Sequence, residues 1–277
     1  VRQRLVSFWT NHFTMGGFES RELSSHAMEE GILASFDDSF SEMLYKATTH
    51  PAMLMYLDNH ISAGPNSNHV RWARSRNEQA GLNDNLGREL LELHTVSPDV
   101  NYTETDIRNA AKVLAGWGMD VQGNPPQSLL EQAGTINHWD MYKKNWAEPG
   151  SKVVLGKTIY QGKQGLKQLT DFLATHDHTI NHLSFKLAEH FVRDDPQQAD
   201  IDYISNAWRQ GNGSMEKIHT AVIERAIDSK EPKFQWPMTW LFQVIRLTDS
   251  RYFKGWSEVD TYLNRTMETR RIFEELG

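Results

Sequence analysis

One short stretch, residues 81–95, concentrates the side chains that could carry out chemistry. Its polar members are Asn83, Asp84, Asn85, Arg88, Glu89, Glu92 and His94. If the stretch is helical, offsets of four and seven residues place Asn85, Glu89 and Glu92 on one face. Leucines flank that face on both sides, a pattern typical of a buried helix. We therefore expect an inward-facing polar stripe.

Glu89 and Glu92 are the candidate catalytic residues of this stripe. Two carboxylates three residues apart can supply oxygens to a metal ion, or one of them can act as a general base with a raised pKa. The same pair also fits a purely structural role, in which Arg88 or another cation neutralises it within a buried polar network. The spacing alone leaves both interpretations open.

Three residues of the stretch are candidates for binding a substrate, and two more approach from an earlier segment. Asn83 and Asn85 would orient a polar substrate, and Arg88 would bind an anionic group. Asp58 and Asn59 are the candidates from the earlier segment.

A divalent metal is the candidate cofactor, but His94 does not complete its site together with the glutamates. By the 100° rule, His94 projects about 140–160° away from them unless the helix ends first. Ligands must then come from elsewhere, and His12 and His138 are the candidates. His12 lies on an apolar helical face, where it also fits a core histidine. His138 lies in an irregular aromatic segment that fits either a ligand-binding loop or a plug on the core.

Composition excludes several classes of protein. The chain has 277 residues, no cysteine and a net charge of −7. Disulfides, thiolate zinc sites and cysteine nucleophiles are therefore ruled out. Lys and Arg are scattered, and no run of them forms the basic face that is typical of nucleic-acid binders. No stretch approaches the ~20 apolar residues of a membrane-spanning helix.

Hydrophobic periodicity predicts a mainly α fold in a single multi-helix domain over residues 1–277. Helices are expected at 2–13, 38–48 and around 81–95, and from Thr103, where Asp106 completes a capping box. Five more are expected, at 164–175, 179–192, 198–210, 214–229 and 233–248. Residues 61–80 are expected to form a polar loop. A small two-stranded β element is expected around 134–160. Because the chain opens at Val1 inside a predicted helix, without an initiator Met, we expect a fragment lacking the N-terminal part of its precursor.

Several separated sequence stretches together carry a family resemblance. In chain order they are RLVSFWTNHF at 4–13, HPAMLMYLDN at 50–59, GLNDNLGRELLELHT at 81–95, YTETDIRNAAKVLAGW at 102–117, KVVLG at 152–156 and FKLAEHFVRDDP at 185–196. Together they resemble the bacterial family catalogued as domain of unknown function 1800, over residues ~4–247. Gly87 departs from the pattern, because the family usually has alanine there.

The resemblance implies a mostly helical protein that is often exported, and hence a periplasmic or secreted location. It also implies a neighbouring gene for a sulfatase-like protein as a candidate partner. The family has no established activity. Two hypotheses follow from the residues and the resemblance together. One is an extracytoplasmic, metal-assisted hydrolase or related enzyme acting on a polar polymer such as a glycan. The alternative is a non-catalytic helical scaffold that binds a partner protein, in which the same polar residues form a buried structural network.

Overall fold

The computed structural model of the chain describes residues 1–15, 31–98, 100–118 and 142–234, with single positions at 29, 240, 243, 244 and 247. The chain divides into two compact units, Val1–Lys230 and Glu231–Gly277. Every element named below belongs to the first unit. The expectation of one domain over 1–277 stays a prediction.

Helices make up most of the described residues. They are α1 (Arg2–His12), α2 (Phe40–Thr49), α3 (Pro51–Tyr56), a 3₁₀ turn (Asn59–Ile61), α4 (Asn68–Ser75), α5 (Asn85–Glu92), α6 (Glu104–Leu114), α7 (Lys163–Ala174), α8 (Asp177–Phe191), α9 (Gln198–Gln210) and α10 (Met215–Asp228). The prediction of a mainly α fold is confirmed. None of the described helices is both long and apolar enough to cross a membrane.

The small sheet expected around 134–160 is a β-hairpin. Strands β1 (Lys152–Val154) and β2 (Lys157–Ile159) pair antiparallel. Leu155 and Gly156 join them, both with positive φ (48° and 75°). Positive φ at both central residues is the requirement of a type I′ turn, whose twist matches the strands it connects.

Asp106 ties the start of α6 to this hairpin. The predicted capping box is present: Thr103 N–H donates to Asp106 Oδ2 at 2.8 Å, and Asp106 N–H donates to Thr103 Oγ1 at 3.2 Å. The other oxygen, Oδ1, accepts the N–H of Leu155 at 2.8 Å. One aspartate therefore caps the helix and also holds the β-turn, so the two are fixed relative to each other.

The prediction of a loop over 61–80 is wrong, because α4 lies within that range. Ser67 caps the helix, its hydroxyl accepting the N–H of Val70 at 3.2 Å. Only Val70 and Ala73 of the helix are buried, so its apolar stripe is too short for the periodicity to reveal.

Helix α5 packs tightly against α6. A Cβ added at Gly87 would lie 2.7 Å from the backbone N and 3.0 Å from the Cα of Ala111. Backbone atoms cannot yield as a flexible side chain can, so the absence of a side chain at Gly87 sets the distance between the two helices.

We expect Gly87→Ala to lower the free energy of unfolding by about 1–3 kcal/mol, because overpacking against the α6 backbone outweighs the better helix propensity of alanine. Chemical denaturation measures the change. Gly81→Ala is the matched control, since a Cβ at Gly81 would meet no atom within 4 Å. A Gly87→Ala protein as stable as the parent would contradict this account of the helix contact.

The core of the first unit is rich in aromatic rings. Trp9, Phe13, Phe40 and Trp208 are all buried. Trp9 Nε1–H donates to Nε2 of the buried His219 at 2.8 Å, which joins α1 to α10 across 210 residues of sequence. These contacts anchor α1, and α1 in turn carries His12.

Candidate functional site

Helix α5 turns its polar side away from the core. Its buried residues are Leu86, Gly87, Leu90 and Leu91. Asn85 is exposed, and Glu89 and Glu92 are half-buried. The three polar residues do share a face, as their spacing predicts. The expectation of a buried, inward-facing stripe is wrong, because that face lies opposite the leucines that pack into the core.

Arg88 joins carboxylates from two helices. Its Nη1 donates to Oε1 of Glu92 at 3.3 Å, one turn further along α5. Its Nη2 donates to Oε2 of Glu104, the first residue of α6, at 3.0 Å. The guanidinium expected to bind an anionic substrate is therefore already paired with two of the protein's own glutamates.

Tyr102 adds a second donor to Glu92. Burial, followed by a hydrogen bond to Glu92, raises the pKa of Tyr102 to about 12. Its hydroxyl therefore stays protonated at neutral pH and donates to the carboxylate. Arg88 and Tyr102 together hold Glu92 in a fixed position.

Glu89 differs from Glu92 in its surroundings. In the described part of the chain its carboxylate makes neither a hydrogen bond nor an ion pair. Burial raises the pKa of Glu89, the negative charge of Glu92 raises it further, and the charge of Arg88 acts in the opposite direction. A half-buried carboxyl group with a raised pKa and no bound donor is suited to accepting and releasing a proton.

The side chains of Asn83 and Asn85 differ in how far they are available to bind a substrate. Asn83 Oδ1 accepts the backbone N–H of Asn85 at 2.9 Å, forming a turn that starts α5. The backbone of Asn83 also exchanges hydrogen bonds with the Ser62 hydroxyl at 3.1 and 3.3 Å. The side chain of Asn83 is thus used locally, whereas the exposed amide of Asn85 lies on the same face as Glu89.

The other two predicted substrate-binding residues lie at the start of the 3₁₀ turn. Asp58 is exposed and adopts a left-handed conformation with φ of 55°. Asn59 is 1% exposed, and its Nδ2 donates to the carbonyls of Leu114 and Trp117 at 3.1 and 2.7 Å. Asn59 therefore secures the end of α6, and its contacts do not extend to Glu89 or Glu92.

A second polar cluster, the imidazole–lysine cluster, consists of His12, His94 and Lys186. His12 Nε2 lies 3.2 Å from the carbonyl oxygen of His94, and Lys186 Nζ lies 3.1 Å from His12 Nδ1. A neutral His12 with its proton on Nε2 satisfies both contacts, donating to the carbonyl and accepting from the ammonium. His94 is 4% exposed, and its Nδ1 has no hydrogen-bond partner within the part of the chain that the structure describes.

Both imidazoles of this cluster are held neutral. Burial, followed by the charge of Lys186, lowers the pKa of His94 to about 4 and lowers that of His12 well below its usual value. Burial also lowers the pKa of Lys186, against the opposing effect of Glu189. His94 follows Glu92 by two residues, and its N–H donates to the Glu89 carbonyl at 3.0 Å. The cluster therefore begins where the glutamate-bearing helix ends.

A model of the family described as "Protein of unknown function (DUF1800)" matches residues 1–277. The chain belongs to the DUF1800 family. The resemblance carried by the separated sequence stretches is thereby confirmed. No curated protein and no solved structure matches the chain. Membership of the DUF1800 family assigns no reaction, so function has to be argued from the geometry above.

The sequence did not predict three residues that belong to these two clusters. Tyr102 reaches Glu92 from the segment before α6, Glu104 reaches Arg88 from the start of α6, and Lys186 reaches His12 from α8. Local spacing carries no signal for contacts between segments so far apart. The separation of His94 from the glutamates was predicted from the helical repeat. The structure places His94 with His12 in the imidazole–lysine cluster.

The expected metal ligands are not brought together in the described part of this DUF1800 protein. Within it, no group of three or more His, Asp or Glu side chains is arranged to hold a metal ion. Both ring nitrogens of His12 face other groups, Lys186 and the His94 carbonyl. His138 lies outside the described residues. The divalent metal therefore stays a prediction from the sequence.

Proposed function

We propose that this protein is a hydrolase or related acid–base enzyme that acts on a polar polymer such as a glycan, outside the cytoplasm. One observation carries the proposal: Glu89 is a half-buried carboxyl group without a bound donor among the described residues, beside a second carboxylate, Glu92, that is held by Arg88 and Tyr102. Two carboxyl groups in such different surroundings are suited to different roles.

Glu89 is the proton carrier in this proposal. In its ionised form it would take a proton from an attacking water molecule, and in its protonated form it would give that proton to the oxygen of the leaving group. Its raised pKa keeps the protonated form accessible at a higher pH than for an ordinary glutamate. Glu92 would supply a fixed negative charge that stabilises positive charge developing on the substrate.

The surroundings of Glu89 favour a polar substrate. The exposed amide of Asn85 lies on the same face of α5 and offers both donors and an acceptor. The location outside the cytoplasm rests on the family resemblance, as does any contact with a sulfatase-like partner. A divalent metal would add a Lewis acid, with His12 and His138 as its predicted ligands.

A glycan panel tests the proposal directly. Release of reducing ends is measured for neutral and acidic polysaccharides with the parent protein, Glu89→Gln and Glu104→Gln. We expect Glu89→Gln to lose about 100-fold or more of the activity, because removal of a general acid–base group has an effect of that size. Glu104→Gln removes a carboxylate that pairs with the same Arg88, but it is expected to retain most of the activity.

The Arg88 contacts specifically favour the alternative function, a non-catalytic scaffold. Arg88 bridges α5 and α6, as expected of a residue in a structural network. If Glu89→Gln and Glu104→Gln lower the melting temperature by similar amounts, and no polysaccharide is cleaved by the parent protein, the scaffold is supported and the enzyme proposal fails. Retention of full activity by a folded Glu89→Gln protein would also overturn the role given to Glu89.

A further inference from the structure

Helix α4 carries one end of a continuous column of aromatic rings and cations. The ring centroids of His69 and Trp146 are 3.8 Å apart, with the ring planes within 10° of parallel. His69 also stacks on Trp72 at 5.9 Å. Lys143 Nζ lies 4.6 Å from the Trp146 ring, and the Arg76 guanidinium lies 4.5 Å from the Trp72 ring. A cation therefore lies at each end of the column.

Three arginines accompany this column and form what we call the α4 arginine surface: Arg71, Arg74 and Arg76. All three are exposed. Arg71 donates to Asn68 Oδ1 at 2.6 Å. None of the three forms an ion pair with a carboxylate among the residues that the structure describes.

This local excess of positive charge contrasts with the chain as a whole, whose net charge is −7. Two other exposed arginines are paired, Arg2 with Asp37 at 3.1 Å and Arg209 with Asp177 at 3.0 Å. Unpaired guanidinium groups recognise sulfate and carboxylate groups through two parallel hydrogen bonds. The charge of the α4 arginine surface is therefore complementary to a polyanion.

The arrangement of the aromatic rings indicates which class of polyanion this surface can bind. Binding of single-stranded nucleic acid depends on open aromatic faces on which bases stack. Here His69 stacks on Trp146 with ring centroids 3.8 Å apart, Lys143 Nζ lies 4.6 Å from the same ring, and Arg76 lies over Trp72. Trp72 nevertheless remains 46% exposed, which leaves part of the indole available for contact with a sugar ring. These features favour an acidic polysaccharide over a chain of bases.

We propose that the α4 arginine surface binds an anionic polysaccharide. Sulfate or carboxylate groups of the polymer pair with Arg71, Arg74 and Arg76, and a sugar ring rests against the exposed part of Trp72. The aromatic column holds Arg76 in place, because its guanidinium lies over the indole at 4.5 Å. This inference is independent of the function proposed for Glu89, since it requires binding and no reaction.

Binding is tested by titration calorimetry at two salt concentrations with the full chain. The probes are heparin as a sulfated polymer, polygalacturonate as a carboxylated polymer and dextran as a neutral one, with poly(dT) as a single-stranded nucleic acid. The test variant combines Arg71→Gln, Arg74→Gln and Arg76→Gln. The control is Arg2→Gln, because Arg2 also lies 4.5 Å over an aromatic ring, that of Phe36, but is paired with Asp37.

We expect the parent to bind heparin or polygalacturonate but not dextran, and to bind less tightly at the higher salt concentration. The triple variant should lose about tenfold or more in affinity and most of the salt dependence, whereas Arg2→Gln should keep the parent affinity. Thermal melts check that both variants are folded.

Three results would overturn the proposal. The first is that neither acidic polymer binds. The second is that the folded triple variant binds as tightly as Arg2→Gln. The third is that poly(dT) binds more tightly than both acidic polysaccharides and depends on the same arginines, which would assign the surface to nucleic acid. None of these results bears on whether Glu89 is catalytic, because no cleavage is measured.

Discussion

Acidification from pH 7 to pH 5 should lower the free energy of unfolding by about 2 kcal/mol for each of two buried histidines, His94 and His219. Burial is the largest cause in both, and it lowers each pKa to about 4 from an ordinary value of 6.5. His219 must also remain unprotonated at Nε2 to accept the hydrogen bond of Trp9.

Stability falls on acidification because the unfolded chain binds protons more readily than the folded protein. Between pH 6.5 and pH 4 the unfolded chain binds protons at these positions and the folded protein does not. Stability is therefore complete above pH 6.5 and is lost progressively as the pH falls through this window. His12, whose pKa is also lowered, contributes in the same direction.

Urea denaturation at several pH values between 5 and 7.5 measures this dependence. His219→Gln is the informative variant, because a glutamine oxygen can still accept from Trp9 but does not titrate. Its stability should depend less steeply on pH than that of the parent, by about half of the effect assigned to the two histidines. An unchanged slope in His219→Gln would show that the imidazole of His219 is not the source.

Asp200→Asn should lower the free energy of unfolding by about 3–5 kcal/mol, the cost typical of breaking a buried ion pair on one side. Asp200 is 0% exposed and pairs with two arginines. Arg193 Nε lies 3.0 Å from Oδ2, and Arg225 Nε donates to Oδ1 at 3.0 Å. Oδ2 also accepts the N–H of Gln197 at 3.1 Å, which caps α9. The variant leaves both guanidinium groups without their shared anion.

Thermal and urea denaturation measure this loss, and Asp177→Asn serves as the matched control. Asp177 also pairs with an arginine, Arg209, but its side chain is 77% exposed. Removal of an exposed pair is expected to cost about 1 kcal/mol or less. Equal losses in the two variants would contradict the central role given to burial at Asp200.

Asp200 and the two buried histidines affect the free energy of unfolding in different pH ranges. Burial alone would raise the pKa of Asp200, but the hydrogen bonds from Arg225 and Gln197 and the charges of both arginines lower it overall. Its contribution to stability is therefore present above the ordinary aspartate value of 3.8 and is lost only as the pH falls below that. The histidine effect acts between pH 6.5 and 4, so the two can be measured independently.

Periodicity was sufficient to predict the longer helices, because each buries a stripe that repeats every 3.6 residues. It failed at α4, where only Val70 and Ala73 are buried. At α5 it identified which residues share a face. It placed that face on the wrong side, because which side of a helix meets the core depends on the neighbouring elements. Leu86, Leu90 and Leu91 form the buried side, whereas Leu93, which also flanks the stripe, is 54% exposed.

The rest of the candidate site could not be predicted from the sequence, because it depends on contacts between distant segments. His12 meets His94 across 82 residues of sequence, and Lys186 meets His12 across 174. No local pattern encodes such pairings, because they depend on the path of the chain. The same reason explains the α4 arginine surface, whose aromatic column needs Trp146 from a segment far along the chain.

Asp106 couples the β-hairpin to the start of α6. One of its carboxylate oxygens caps the helix and the other accepts the N–H of Leu155, so loss of the hairpin removes one of the contacts that orient the capping carboxylate. Glu104, which holds Arg88, lies in that same first helical turn. The hairpin, the start of α6 and the Arg88 pair are therefore energetically coupled, so that we expect fraying of the hairpin to weaken the first turn of α6.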